Sequence, residues 1–290
     1  MQYSERAAPV IDAYKRLMNV EPPPAPKTAR GFFTDTSLCI GCKACEVACK
    51  QWNQLPADGF AMTGNSYDNT GTLGATTWRH VQFIEQAKAN GNRQDQRWLM
   101  MSDVCKHCAN AACLEACPTG ALIRTEYDTV YVQQDICNGC GFCVPACPFG
   151  VIDRAPKHGQ FEAGTAHKCT LCYDRLKDDM TPACAKSCPT ASIQFGDVEE
   201  LRQRARRRLG ALHARGETKA VLYGMPEGKE ASEVGPLHAF FLLLDQPQTY
   251  NLPDVPRLPR KTMGQRYRWS AAMGLGFAMV AALVFRGGRQ

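Results

Sequence analysis

The sequence predicts an α+β fold in which short strands and helices are joined by cysteine-bearing loops, followed by a small α/β extension and one apolar helix. Three observations predict it. The sixteen cysteines fall into four groups of four, with none left over. Short alternating or β-rich runs flank those groups, at residues 31–33, 78–85, 121–123 and 130–132. The seventeen residues 269–285 then run without a charge. At 290 residues the chain is long enough for two or more compact units.

The third cysteine group reads Cys137-Asn-Gly-Cys140-Gly-Phe-Cys143-Val-Pro-Ala-Cys147-Pro148, or C-x2-C-x2-C-x3-C-P. Such a run folds around a cubane iron–sulfur cluster, with its fourth cysteine carried away to a second cluster in two-cluster proteins. So tight a curl needs positive φ, which Gly139 and Gly141 permit. The first group (Cys39, Cys42, Cys45, Cys49) repeats the spacing without the proline. The second (Cys105, Cys108, Cys113, Cys117) has four residues in its middle gap, and the fourth (Cys169, Cys172, Cys184, Cys188) has eleven. That last spacing alone would suit zinc, but its C-x3-C-P ending puts it with the others. Pro-Thr-Gly-Ala-Leu-Ile after Cys117 and Pro-Thr-Ala-Ser-Ile-Gln-Phe after Cys188 repeat as well, marking duplicated ferredoxin-like halves. Tight clusters of this kind speak against a disulfide scaffold.

The formal charge of +6 invites a nucleic-acid reading. Four thiolate-held cubanes would bring the loaded protein to about −2. Lys43, Lys50, Lys106, Lys168, Arg175 and Lys186, all close to cysteines, then read as counter-charges, and no nucleic acid is expected. His107, between two ligands, would be surplus as a third, so it is expected either to donate to sulfur or to lie on the surface.

In chain order, residues 1–30 form an N-terminal arm with a Pro-rich stretch and no secretory signal. Residues 31–97 and 158–196 make one ferredoxin-like module, called A here, and 98–157 a second, B, interleaved with it. Within A, a helix is expected from near Cys45 through Trp52, and a long surface loop over 56–77. Residues 197–250 form the α/β extension, built on an Arg-rich helix that presents Val198, Leu201, Ala205, Leu209 and Leu212 on one face. Its arginines read as a solvated face or a contact for an acidic partner. Residues 251–266 are a Pro-rich linker, and 267–286 a transmembrane helix at the short end of the usual length, with Tyr267 and Trp269 at one edge.

The order and spacing of the four groups resemble the four-cluster electron-transfer subunits of molybdopterin oxidoreductases. Most closely, Cys39-Ile-Gly-Cys-Lys-Ala-Cys, the loop from Tyr67 to Trp78, Cys147-Pro-Phe-Gly, Lys168-Cys-Thr-Leu-Cys-Tyr-Asp-Arg and the terminal span resemble the iron–sulfur (beta) subunit of membrane-bound formate dehydrogenase. The resemblance implies four 4Fe-4S clusters: one on Cys39, Cys42, Cys45 and Cys188, one on Cys49, Cys169, Cys172 and Cys184, one on Cys105, Cys108, Cys113 and Cys147, and one on Cys117, Cys137, Cys140 and Cys143. Nitrate reductase relatives carry Trp where this chain has Cys140, so all sixteen ligands argue for cubanes throughout. The family further implies a non-catalytic role, a molybdopterin catalytic partner holding Mo or W, a membrane cytochrome b partner, and single-pass attachment to the cytoplasmic membrane. It also implies a periplasmic cluster domain. The flanking charges point the other way, with Arg257, Arg260, Lys261, Arg266 and Arg268 before the span against Arg286 and Arg289 after it. The alternatives are the equivalent subunit of a dimethyl sulfoxide reductase, polysulfide reductase or hydrogenase complex and, more distantly, a zinc-ribbon nucleic-acid-binding protein.

Overall fold

The computed structural model describes residues 27–57, 59, 62, 64, 68–86, 97–155, 164–229 and 231–286. Most of the N-terminal arm, part of the 56–77 loop and the expected module boundary at 157/158 lie outside these residues. In chain order the elements are β1 (Arg30–Asp35), α1 (Ala44–Trp52), β2 (Arg79–Gln86), β3 (Arg97–Val104), α2 (Ala112–Glu115), β4 (Leu122–Arg124), β5 (Val130–Val132), α3 (Cys143–Ala146), β6 (Asp153–Arg154) and β7 (Ala166–His167). They continue with α4 (Tyr173–Lys177), α5 (Ala183–Lys186), β8 (Ile193–Asp197), α6 (Val198–Ala214), β9 (Val221–Tyr223), α7 (Ala231–Val234), β10 (Ala239–Leu243) and α8 (Pro259–Arg286).

A four-stranded sheet ordered β8-β1-β10-β9 ties the start of the chain to the extension. β1 runs parallel to β10, pairing Phe33 with Phe240, and antiparallel to β8, pairing Phe32 with Phe195. All five residues of β10 are buried, as expected of a strand covered on both faces. Alternation sends Phe33, Phe240 and Leu242 toward α6, while Phe32 and Ala239 join the core that contains the cysteines. Gly31 is required where β1 meets the chain just before β10, because a Cβ there would lie 2.0 Å from the carbonyl oxygen of His238.

α6 starts where the sequence places it. The Asp197 carboxylate accepts from the amides of Glu199 (2.9 Å) and Glu200 (3.1 Å), and Val198, Leu201, Ala205 and Leu212 form its buried stripe. Four of its arginines are occupied within the chain. Arg208 pairs with Asp35 (2.8 Å), Arg206 with Glu227 (3.1 Å) and Arg202 with Glu199 (3.4 Å), and Arg204 donates to Gln194 (2.8 Å).

The segment expected to be a linker is packed on the body. Tyr250, Leu252 and Leu258 are buried, the Tyr223 hydroxyl donates to the Pro253 carbonyl (2.6 Å), and the Leu258 amide donates to Glu233 (2.6 Å). α8 begins at Pro259, eight residues before the expected span, with its proline where a missing N–H costs nothing. Its first turns carry Arg260, Lys261, Arg266 and Arg268. Among the described residues, no helix is long and apolar enough to cross a membrane.

Candidate iron–sulfur sites

The x3 gap at the end of each cysteine group puts its last two cysteines four residues apart, about one helical turn. In α1 these are Cys45 and Cys49, and around α2, α3 and α5 they are Cys113 with Cys117, Cys143 with Cys147, and Cys184 with Cys188. α1 and α5 pack together, with the Ser187 hydroxyl donating to the Ala44 carbonyl (3.3 Å), and α2 packs on α3. α2, α3 and α5 therefore each have a thiol at or just beyond either end, while α1 has one in its first turn and one midway. The preceding loops close through left-handed residues, and Gly139 (φ 71°) is one that must be glycine, since a Cβ there would lie 2.6 Å from the Gly164 carbonyl oxygen.

Cys39, Cys42, Cys45 and Cys188 line one cavity of about 300 Å³, together with Ser102 and Thr190. Cys105, Cys108, Cys113 and Cys147 line another of about 350 Å³, with Lys106, His107, Phe149 and Lys168 in its wall. The other eight form two electrostatic neighbourhoods. The Cys49 thiol is pushed well up by burial and then by the charges of Cys184, Cys169 and Cys172. That of Cys143 is raised to about 11 by burial and then by Cys137, Cys117 and Cys140. Cys49, Cys169, Cys172 and Cys184 are all buried, whereas Cys42 and Cys140 are exposed.

Burial holds most of these thiols protonated. It lifts Cys113, Cys169 and Cys172 to about 12, so only a strong Lewis acid would keep such groups as thiolates. Hydrogen bonds point at the sulfurs nonetheless. The Ala166 amide donates to Cys137 (3.3 Å) and the Leu171 amide to Cys169 (3.3 Å), and the Ser102 hydroxyl lies 3.2 Å from Cys45 Sγ. At Cys117, burial raises the thiol but hydrogen bonds from Thr119, Leu122 and Ala121 bring it below its ordinary value. Among the described residues, no group of three or more His, Cys, Asp or Glu is placed to hold a metal ion. A lone ion would draw its thiolates to about 2.3 Å, closer than thiols spread around such cavities.

The surrounding side chains also fit a cluster. Buried N–H groups normally find acceptors, yet Nε and Nη2 of Arg79 and Nε2 of His107 have none. His107 is buried, so of its two expected places, as a donor to sulfur or on the surface, the surface one does not hold. Its Nδ1 accepts from the Val130 amide (3.1 Å), and burial followed by the Lys168 charge holds the ring neutral, so its proton sits on Nε2 in the cavity wall. Sulfur acceptors on a bound cluster would satisfy these donors.

Of the expected counter-charges, Lys106 and Lys168 are buried in the wall of that cavity. Lys43 pairs with Asp68 (2.9 Å), Lys50 donates to the Pro56 and Thr76 carbonyls, Arg175 donates to the Thr181 carbonyl (2.7 Å), and Lys186 is exposed. The cation the sequence reading passed over is Arg79, only 1% exposed. It was legible in the alternation of β2, which puts Arg79 in phase with Val81 and Phe83.

Residues 38–121 and 96–198 each match the 4Fe-4S dicluster domain family. The fold and the thiol groups thus define an iron–sulfur protein of the dicluster class. The chain is 39% identical to the nitrate-inducible formate dehydrogenase iron–sulfur subunit of Escherichia coli K12, over 87% of this chain and 82% of that one. It is 40% identical to the formate dehydrogenase iron–sulfur subunit of Haemophilus influenzae, over 77% and 68%. Similarity to a subunit of the anaerobic dimethyl sulfoxide reductase of E. coli K12 is lower, 33% over 61% of this chain and 78% of that one. The chain belongs to the formate dehydrogenase iron–sulfur subunit family, and is an electron-transfer subunit rather than a catalytic one.

Proposed function

We propose that this chain carries electrons through four 4Fe-4S clusters from a formate-oxidising molybdopterin subunit, holding Mo or W, to a membrane cytochrome b and quinone. The grouping of the thiols carries the reading: two cavities lined by four cysteines each, and two further sets of four that act on one another electrostatically. These groupings support the four ligand sets that the family resemblance implies. A bound 4Fe-4S cluster supplies a one-electron acceptor and donor. The chain holds the thiolates, keeps water from the inner sites and tunes them with N–H donors and fixed charge.

Exposure orders the path. The sets containing Cys42 and Cys140 reach the surface, and those containing Cys49 and Cys105 lie between them, where Cys169 senses the charge of Cys105. Each exposed end is a contact for a redox partner.

The reading includes a single membrane span within α8 and attachment to the cytoplasmic membrane with the cluster body in the periplasm. Its support is the uncharged run 269–285, along which Leu275, Phe277, Met279 and Val280 are exposed, together with Tyr267 and Trp269 at the edge. The similarity to the dimethyl sulfoxide reductase subunit favours, as a second reading, the same relay serving another molybdopterin enzyme. The complex purified from membranes distinguishes the two. Formate should reduce its iron–sulfur signals, whereas reoxidation by dimethyl sulfoxide with no response to formate would establish the second reading. Retention of the protein in membranes after alkaline carbonate washing tests the span.

A further inference from the structure

We infer that Arg79 is a shared counter-ion, set between the two cluster sites of module A to donate hydrogen bonds to cluster sulfur and to raise the electron affinity of both. The inference rests on assigning Cys39, Cys42, Cys45 and Cys188 to one cluster and Cys49, Cys169, Cys172 and Cys184 to its neighbour.

Arg79 is fully inside the protein, and no ion pair holds it among the described residues. Its Nη1 donates to the carbonyl and the hydroxyl of Ser102, both at 3.3 Å, and its guanidinium lies 4.7 Å over the Phe32 ring. Nε and Nη2 have no acceptor. A guanidinium stays charged in proteins, and a buried charge is costly unless it is both paired and hydrogen-bonded. The other buried cations are at least hydrogen-bonded: Lys106 is paired with Asp103, Lys168 donates to the carbonyls of Val130 and Cys169, and Arg175 donates to that of Thr181. The cysteines whose charge would act on Arg79 most, once they are thiolates on a cluster, are in order Cys184, Cys45, Cys169 and Cys49.

These four belong to both sites, Cys45 to one and the other three to its neighbour. The contact with the first site is also geometric, because the Ser102 hydroxyl that accepts from Arg79 lies 3.2 Å from Cys45 Sγ. β2 brings the side chain there by alternation, and its strand partner β3 supplies Ser102. Reduction of either cluster adds one negative charge, which a fixed cation at short range in a dry interior stabilises. A cation shared by both also offsets the repulsion between neighbouring reduced clusters. Arg79 is thus a positioning and tuning residue for the relay.

The test is an EPR-monitored redox titration of the intact complex carrying R79M or R79K, with iron counted in each. In R79M the midpoint potentials of the two module A clusters should fall by more than the ~59 mV that equals a tenfold change in a one-electron equilibrium. Those of module B should stay put, and R79K should recover most of the shift. Unmoved potentials, an equal shift in all four clusters, or R79K matching R79M would each overturn the inference. Should R79M fail to hold the module A clusters, R79K decides: full iron with near-wild-type potentials supports the role of charge, and loss of iron in R79K as well overturns it. Wild-type complex with far fewer than about sixteen iron atoms per chain would instead refute the four-cluster reading, whatever Arg79 does.

Discussion

Modules A and B, as proposed, repeat one cysteine pattern and differ in how they would neutralise what it binds. In B, the cavity lined by Cys105, Cys108, Cys113 and Cys147 has two lysines in its wall, each already bonded to protein, and a neutral His107. In A, a buried guanidinium whose Nε and Nη2 have no acceptor comes from a strand outside the cysteine loops. Repeating a ligand pattern therefore does not repeat its electrostatics. B's surroundings sit within one residue of its cysteines in sequence (Lys106, His107) or of a neighbouring group's (Lys168), whereas A's is brought in from the β2–β3 hairpin.

The widest break in that comparison comes from the ligands themselves. C184A removes a buried thiol of A's inner set and should cost about four of some sixteen iron atoms and collapse the packing of α5 on α1. C140A, at B's exposed edge, should alter one cluster and leave the melting temperature close to wild type. Iron analysis and thermal unfolding check both. Next in size, D103N leaves the buried Lys106 charge without its carboxylate and should destabilise by about 3–5 kcal/mol. Denaturant unfolding of the loaded protein measures it. Among the described residues, module A has no carboxylate whose loss would strand Arg79 in the same way.

Smaller effects sharpen the contrast. H107F deprives the Val130 amide of its acceptor and should cost about 1–3 kcal/mol while shifting the potential of the Cys105 site alone, read by the same redox titration. D197A removes the α6 cap and should cost about 1 kcal/mol, with all cluster potentials unchanged, since that helix packs on the far side of the sheet.

Much of this was legible in the sequence because cluster ligation is local. Residue types and spacing point to the thiol groups, and β1, α1, β2, β4, β5 and α6 lie close to where alternation and periodicity put them. What escaped depends on contacts distant in sequence. The arginines of α6 looked free for an acidic partner because Asp35, which holds Arg208, is 173 residues away. The linker looked loose because its buried residues, Leu252 and Leu258, are spaced among prolines with no periodicity to mark them. β3 was not anticipated as a strand, and with it went Ser102 and the reason for Arg79. Of the two expected places of His107 the surface one fails for a related reason, since its Nδ1 accepts from the amide of Val130, 23 residues on.

The central claim is that the sixteen thiols hold iron and sulfide and carry electrons. Iron, zinc and acid-labile sulfide counted on the protein isolated without air test it most directly. The account predicts about sixteen iron and sixteen sulfide per chain with no stoichiometric zinc. About four zinc with no labile sulfide would contradict it.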